Sequence, residues 1–234
     1  MTDLLTGIEG ITFDLWNTLI VGGNPGYRAG KIAAIQKHLA THPEQNLLEK
    51  LLKEAASHCN ALSEETGIDY SFAARIARVY ERIPHKKIPL LTRDILTSLE
   101  QELGEVIKLY PPFLCEKDLV VSLTTLKSRG FKIGIISNVG TITGSNMRIA
   151  LERLGVLPLV DTTIFSDEAK VAKPNPQIFW LAAQSLCLDP HTMLHIGDNL
   201  NADVKGAQNA GLRALHYAPH AFSSVKNLIN EIRR

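Results

Sequence analysis

The sequence predicts an α/β fold, with a parallel sheet covered by helices on both of its faces. From residue 132 onward, short apolar runs typical of strands alternate with helical stretches, and this alternation favours a parallel sheet. One more apolar run, at residues 10–14, stands far upstream of the others. A long segment with only helical periodicity separates it from them, so we expect the first strand to join the sheet across a helical insertion.

The spacing of apolar residues predicts the elements in chain order. Residues 10–14 form the first strand, and turn-forming residues at 22–26 end that segment. The insertion contains four helices, whose apolar stripes lie at residues 32–39, 47–55, 72–83 and 95–106. After Pro111 and Pro112, helices at 119–126, 147–154, 176–186 and after Asn201 alternate with strands at 132–137, 162–165, 193–196 and 213–217.

Composition narrows the function class and the compartment. The 234 residues contain 25 Lys plus Arg against 24 Asp plus Glu, without a basic stripe interleaved with aromatic residues, so nucleic-acid binding is not expected. Cys59, Cys115 and Cys187 are scattered and odd in number, which favours reduced thiols in the cytosol and argues against a zinc site. The sequence shows neither a leader nor a membrane-spanning run. We therefore expect a cytoplasmic protein that binds no membrane, and its oligomeric state stays open.

Polar residues follow the apolar runs at several predicted strand ends. Asp14 closes the first predicted strand, and Asp198 follows the fourth. Ser137 and Asn138 end the second strand, and Lys173 opens the segment that leads into a predicted helix. In open α/β sheets, ligands bind beyond the carboxyl ends of the strands. These side chains are therefore expected to surround one ligand.

The chain resembles the haloacid dehalogenase-like hydrolase superfamily in four stretches that occur in that family's order. They are ITFDLWNTL ending at Leu19, IGIISN ending at Asn138, KPNPQIF starting at Lys173 and HIGDNLNAD ending at Asp203. Each stretch alone is a weak signal, but their joint occurrence is specific. The resemblance implies a Rossmann-like three-layer core at residues 1–20 and 109–234, and a four-helix cap domain of the type-one kind at residues 21–108.

Asp14 is the predicted nucleophile. A carboxylate there can attack phosphorus or an alkyl carbon in line, which gives a covalent aspartyl intermediate and splits one displacement into two easier steps. Because attack by an anion on a phosphate is repulsive, a divalent cation is expected, and Mg²⁺ takes hard oxygen ligands. The resemblance implies that Asp14, Asp198, Asp203 and the main-chain carbonyl of Trp16 bind this ion. Asp203 could instead cap the helix that follows it.

Three further residues complete the predicted site for a small phosphorylated substrate. The Ser137 hydroxyl and the Asn138 amide N–H can donate hydrogen bonds to phosphate oxygens as these gain charge. Lys173 adds a positive charge that can bind both the nucleophile and the phosphate. Lys170 is the competing candidate for this role, but the Pro174 that follows Lys173 matches the Lys-Pro pattern of the family.

Trp16 departs from the pattern of the phosphatases that the chain resembles. In those enzymes the residue two positions after the nucleophile is an aspartate that protonates the leaving oxygen and then activates water, a role worth about 10²- to 10⁴-fold in rate. The indole of Trp16 donates a hydrogen bond but is a donor only. We therefore expect Trp16 to contact the substrate without acting as an acid.

Three functions stay open for such a site. The first is a Mg²⁺-dependent phosphatase restricted to leaving groups that need no proton, such as acyl or aryl phosphates, and the retained Asp198 and Asp203 favour it. The second is a 2-haloacid dehalogenase, a subfamily that also has an aromatic residue two positions after the nucleophile. Those enzymes work without a metal and resemble this chain poorly in the acidic fourth stretch. The third is a weak or inactive protein whose site serves binding or regulation.

Other polar residues give weaker signals. Tyr27, Arg28 and Arg75 of the insertion are candidates for contacts with a substrate anion, although arginines are more often solvated. His195 alternates with apolar neighbours, which indicates a strand residue rather than a base. Asn17 is expected to shape the loop after the first strand.

Overall fold

The structure is a computed structural model that describes residues 6–38, 43–84 and 91–217. The strands of these residues are β1 (Gly10–Phe13), β2 (Ile20–Val21), β3 (Phe113–Leu114), β4 (Lys132–Ser137), β5 (Thr162–Phe165), β6 (Met193–Gly197) and β7 (Arg213–His216). The α-helices are α1 (Pro25–His38), α2 (Gln45–Thr66), α3 (Phe72–Glu81), α4 (Arg93–Leu109), α5 (Leu119–Ser128), α6 (Gly144–Arg153), α7 (Ser166–Ala169), α8 (Pro176–Leu186) and α9 (Gly206–Asn209).

Five strands form one parallel sheet in the order β5-β4-β1-β6-β7. The first strand is central: Phe13 pairs with Ile135 of β4 and with Ile196 of β6. One apolar cluster includes the buried residues of α5 and α6, and another those of α8 and α9. The predicted α/β fold is therefore confirmed. Because β1 lies between β4 and β6, the residue that follows it lies beside the loops after both neighbours.

The four predicted helices of the insertion are α1 to α4, and they lie between β2 and β3. These two short strands pair antiparallel, with Ile20 opposite Leu114. Most buried apolar side chains of the four helices form a cluster separate from those around the sheet, whereas Ile107 of α4 belongs to the cluster around the sheet. The domain boundaries expected near residues 20 and 109 stay a prediction, and the parts of those domains at 1–5, 39–42, 85–90 and 218–234 lie outside the described residues. The β2–β3 pair was missed because two-residue strands show no periodicity.

The end of α2 places the insertion against the sheet domain. Gly67 ends this helix with a φ of 68°, and its N–H donates to the Ser63 carbonyl. A Cβ at Gly67 would lie only 2.9 Å from Cβ of Asn175, which caps the N-terminus of α8. The N–H of Ala172 donates to the Gly67 carbonyl at 3.0 Å, an ordinary distance for a backbone hydrogen bond. Only glycine combines this backbone angle with so close an approach.

The helix expected after Asn201 is a π-helical turn over Leu200–Lys205 that continues into α9. Its start is fixed by Asn199, whose side-chain oxygen accepts hydrogen bonds from the N–H groups of Asn201 and Ala202. Asn199 thus caps the first turn, and the Asp203 carboxylate in turn accepts from the N–H of Asn199. Within the part of the chain that the structure describes, no helix has the length and apolar character to cross a bilayer.

Candidate active site

Lys173 is a buried ammonium shared by two carboxylates. Its Nζ lies 2.6 Å from Oδ1 of Asp14 and 2.6 Å from Oδ1 of Asp203, and it donates to the Ile136 carbonyl at 2.8 Å. Lys173 is 2% exposed, Asp14 7% and Asp203 1%. Since an ammonium has three hydrogens, these three acceptors satisfy it completely. The lysine thus joins the end of β1 to the end of β4 and to the turn after β6.

The two carboxylates around Lys173 differ in how well their charge is compensated. Burial raises the pKa of Asp14 to about 7, although the neighbouring ammonium acts to lower it. Burial also acts to raise the pKa of Asp203, but Lys173 and a hydrogen bond from His195 outweigh it and hold that pKa below its usual range. Burial acts to lower the pKa of Lys173, but the charges of Asp14 and Asp203 outweigh it, so this pKa is raised. Asp14 is therefore the less compensated of the two carboxylates.

The side chain of Asn138 is hydrogen-bonded to the backbone of Lys173 and so holds that residue in position. Its Oδ1 accepts from the Lys173 N–H at 2.7 Å, and its Nδ2 donates to the Lys173 carbonyl at 2.9 Å. The hydroxyl of Ser137, which is fully buried, donates to the Asn138 carbonyl at 3.3 Å. The competing candidate Lys170 is exposed, and its Nζ donates to the Asp167 carbonyl at 2.5 Å. Geometry thus places Lys173 in the site and Lys170 outside it.

Three carboxylates could hold a divalent cation together. Asp14, Asp198 and Asp203 each offer an oxygen, and these atoms lie within 4.8 Å of one another. Oδ2 of Asp198 accepts from Asn17 Nδ2 at 3.3 Å, and burial, followed by the charge of Asp203, raises the pKa of Asp198. The ligand atoms are all oxygens, and the three carboxylates carry more negative charge than the single ammonium of Lys173 compensates. Such a site fits Mg²⁺. The residues present therefore suit the ion that the sequence predicts.

Asp203 is the most constrained of the three carboxylates. Its Oδ1 accepts from Lys173 and lies 3.2 Å from Nε2 of His195, and its Oδ2 accepts from the Asn199 N–H at 2.9 Å. A Cβ at Gly197 would lie 2.6 Å from the Asp203 Cβ and closer still to its carboxylate, so a side chain at that position is excluded. This carboxylate is held in place on all sides.

His195 supports Asp203 from inside the sheet, a role that sequence reasoning missed. The residue lies in β6, as predicted, and is fully buried. Its Nδ1 lies 2.9 Å from the hydroxyl of Thr12 in β1. Its ring packs edge to face with the ring of Phe179, with 5.1 Å between the two ring centres. Burial lowers the pKa of His195, so its neutral ring donates from Nε2 to Asp203. A histidine in an otherwise apolar strand, two residues before Gly197, was the available signal.

Two carboxylates of the insertion reach the loops of the site. Glu64 of α2 accepts from Asn199 Nδ2 at 3.0 Å. Asp69 accepts from the Ser166 hydroxyl at 2.7 Å, and that hydroxyl accepts from the Val139 N–H at 3.0 Å. Periodicity could not indicate either contact, because both depend on how the insertion folds back onto the sheet.

A cleft of about 530 Å³ opens between the insertion and the strand ends. Trp16 and Asn138 line it from the sheet side, and Tyr27, Arg28 and Arg75 line it from the insertion. The three insertion residues proposed from the sequence are therefore brought to one place. Arg28 is exposed and lies 3.6 Å from Glu49 Oε1, whereas Arg75 is only 1% exposed.

Comparison with known proteins shows which sequences this chain is similar to. The profile of the haloacid dehalogenase-like hydrolase family matches residues 8–211. A glyceraldehyde 3-phosphate phosphatase of Methanopyrus kandleri is 34% identical over 95 residues, covering 41% of this chain and 40% of that protein. A protein of the same name from Methanocaldococcus jannaschii is 25% identical over 245 residues, covering 97% of each. The chain thus matches about two fifths of the first relative's length and nearly all of the second's.

Solved structures share the fold. The HAD-hydrolase YfnB of Bacillus subtilis, described as putative and bound to magnesium, superposes with a TM-score of 0.66 at 17% identity, covering 91% of this chain and 90% of that one. A HAD phosphatase of Thermococcus onnurineus superposes with a TM-score of 0.61 at 20% identity, covering 90% and 86%. At these identities the likeness concerns the fold.

Proposed function

The chain belongs to the haloacid dehalogenase-like hydrolase family, and on this premise we propose that it is a Mg²⁺-dependent phosphatase of a small phosphorylated metabolite. The reaction would pass through an aspartyl phosphate on Asp14. The observation that supports this most is the buried ammonium of Lys173 between Asp14 and Asp203, 2.6 Å from each. A buried charge network at the carboxyl ends of strands is costly to maintain and is typical of catalytic sites.

Asp14 is oriented for attack by its neighbours. One carboxylate oxygen, Oδ1, is held by Lys173, while the backbone N–H of Asp14 donates to the Ile196 carbonyl at 2.8 Å. These two contacts fix the side chain at the end of β1 and leave Oδ2 for the bond to phosphorus. A carboxylate held in a near-attack position avoids much of the entropic cost of displacement.

The cation would be bound by Asp14, Asp198 and the main-chain carbonyl of Trp16. Asp203 completes the acidic set, and because both of its oxygens accept hydrogen bonds from the protein, we assign it chiefly to holding Lys173. When bound, Mg²⁺ supplies the positive charge that keeps Asp14 ionised and offsets its repulsion from a phosphate.

The phosphate oxygens would be bound by residues at the end of β4. The buried Ser137 hydroxyl and the backbone N–H of Asn138 are the donors, and Lys173 supplies charge. The Asn138 side chain is committed to the backbone of Lys173 at 2.7 and 2.9 Å, so it acts by positioning. This refines the expectation that the Asn138 amide binds phosphate.

Trp16 restricts the leaving group. Two relatives are named for glyceraldehyde 3-phosphate, an alkyl phosphate whose departing alkoxide needs a proton. Trp16 lines the cleft, where the leaving group would lie, and its indole cannot supply that proton. We therefore propose that this chain acts on acyl or aryl phosphates, whose leaving groups depart as stable anions.

The proposal is tested by trapping the intermediate. The protein is incubated with acetyl phosphate and Mg²⁺, and its intact mass is measured over time. We expect an added phosphate that decays slowly, because Trp16 cannot activate water for the second step. Asp14→Asn is the control and should show no adduct. Turnover of p-nitrophenyl phosphate with and without Mg²⁺ is followed in parallel.

Other outcomes point to the alternative functions. Absence of both adduct and turnover would favour a binding or regulatory protein with this fold. Release of halide from 2-chloropropionate in the presence of EDTA would instead favour a 2-haloacid dehalogenase, because that reaction needs neither a proton donor nor a metal.

A further inference from the structure

The cleft beside Trp16 carries an excess of positive charge. Three cations line it, Arg28, Lys31 and Arg75, and no carboxylate is among the lining residues that the structure describes. Its apolar part is formed by residues such as Trp16 and Ile142. A space of about 530 Å³ with cations on one side is suited to an anionic organic molecule.

Arg75 is the deepest of these cations. It is 1% exposed, and among the described residues its guanidinium donates to two neutral acceptors, from Nε to the Tyr70 carbonyl at 2.7 Å and from Nη1 to Asn60 Oδ1 at 2.8 Å. Within the described ranges, no carboxylate lies at ion-pair distance from it. Buried charges are ordinarily paired. A Cβ at Gly140, in the loop after Asn138, would lie 3.9 Å from Nη1, so this guanidinium lies beside that loop.

Lys31 and Tyr27 form a second polar pair at the wall of the cleft. Among the residues that the structure describes, no carboxylate lies within ion-pair distance of Lys31. Burial lowers the pKa of Lys31, although the charge of Glu49 acts to raise it. Glu49 instead lies 3.6 Å from Arg28. The Tyr27 hydroxyl is buried and has no hydrogen-bond partner among the residues that the structure describes, and the Lys31 Nζ lies 5.7 Å from the centre of the Tyr27 ring. A lysine and a tyrosine thus lie next to each other at the wall of the cleft.

We propose that the leaving group of the substrate carries a second anionic group, bound in this cleft by Lys31, Arg75 and the hydroxyl of Tyr27. The uncharged part of the leaving group packs on Trp16. An aryl phosphate with a carboxylate on its ring has the required shape and charge. This inference rests on the proposed phosphatase activity, because the cleft opens onto Trp16 and Asn138 beside Asp14.

The test compares two substrates that differ in one charge. 4-Carboxyphenyl phosphate carries a carboxylate, and 4-carbamoylphenyl phosphate replaces it with a neutral amide of the same shape. We expect wild-type kcat/KM to be about 10-fold higher for the carboxylate, since a charge-assisted hydrogen bond contributes on that scale. Lys31→Met should bring the ratio close to one by lowering the value for the carboxylate alone. Lys50→Met, an exposed lysine of the same insertion, is the matched control.

A second variant keeps the test independent of folding. Tyr27→Phe removes only the hydroxyl, which has no partner to lose, so the melting temperature should stay at the wild-type value. The preference for the carboxylate should fall two- to five-fold, in line with loss of one hydrogen bond. Equal kcat/KM for both substrates, unchanged in both variants, would overturn the inference while leaving the phosphatase proposal standing. If neither substrate is hydrolysed and acetyl phosphate leaves no adduct, the phosphatase proposal fails and the inference fails with it.

Discussion

The strand-end site and the cleft above it differ in how far their positive charges are compensated by carboxylates. At the strand ends, the ammonium of Lys173 is saturated by Asp14, Asp203 and a carbonyl, and every one of these groups is nearly inaccessible. In the cleft, no carboxylate of the residues that the structure describes lies at ion-pair distance from Arg75 or Lys31. The difference indicates that the reacting groups are held in place by the protein itself, whereas the cleft has positive charge left for a bound anion.

The largest effect is expected from the nucleophile. Asp14→Asn keeps an acceptor for Lys173 but removes the attacking oxygen, so turnover of every phosphate ester should fall by about 10⁴-fold or more. Steady-state kinetics with p-nitrophenyl phosphate measures this. Asp94→Asn, an exposed residue in the first turn of α4, is the control. Activity of Asp14→Asn within tenfold of wild type would show that the strand-end site is not the reacting one.

Lys173→Met should damage both activity and stability. The variant leaves Asp14 and Asp203 buried without their shared ammonium, which should lower the free energy of unfolding by about 3–5 kcal/mol. Urea unfolding followed by circular dichroism measures this loss. Lys170→Met removes an exposed lysine nearby and should change the free energy of unfolding by less than about 0.5 kcal/mol. Equal stabilities of the two variants would contradict the saturated network described above.

Trp16→Asp tests whether the lack of a proton donor beside the cleft restricts the leaving group. The new carboxyl group can protonate a departing alkoxide, so hydrolysis of glycerol 1-phosphate should rise by about 10²-fold. Hydrolysis of p-nitrophenyl phosphate should change much less, because its leaving group needs no proton. Trp16→Asn opens the same space without an exchangeable acid. A similar rise with Trp16→Asn would mean that space, and not protonation, limits the reaction.

The smallest effect is expected where the insertion touches the site. Glu64→Ala removes the hydrogen bond to Asn199 Nδ2, a contact worth about 1 kcal/mol, so kcat/KM should fall a few-fold. Thermal unfolding should stay close to wild type, since Glu64 is only partly buried. Glu65→Ala, its exposed neighbour, should leave kinetics unchanged. The same loss in both variants would show that this contact does not help to place the insertion over the site.

Local pattern was enough to find most of the elements and several site residues. The strand over Lys132–Ser137 and the helix over Pro176–Leu186 were expected within a few residues, because their apolar spacing reflects the faces they bury. Asp14 and Asp198 were expected at the carboxyl edge of the parallel sheet because each directly follows an apolar run, and the structure places them at the ends of β1 and β6. The match of the family profile over residues 8–211 confirms the resemblance on which the rest was based.

Contacts between distant segments were not open to the same reasoning. Lys173 and Asp14 are 159 residues apart in the chain, and the choice of Lys173 over Lys170 rested on a motif. The bonds of His195 to Thr12 and Asp203 depend on strand order, which no periodicity encodes. The positioning role of the Asn138 side chain likewise follows from where the Lys173 backbone lies.

The sequence by itself determined the α/β class, the helical insertion and the strand ends at which the acidic residues stand, because these follow from short-range spacing and burial. Only the tertiary structure decided which groups share the ammonium of Lys173, that Glu64 and Asp69 reach the loops of the site, and that Arg75, Lys31 and Tyr27 face one cleft. The physical reason is that charge compensation depends on distances of a few ångströms between residues far apart in the chain, and folding alone sets those distances.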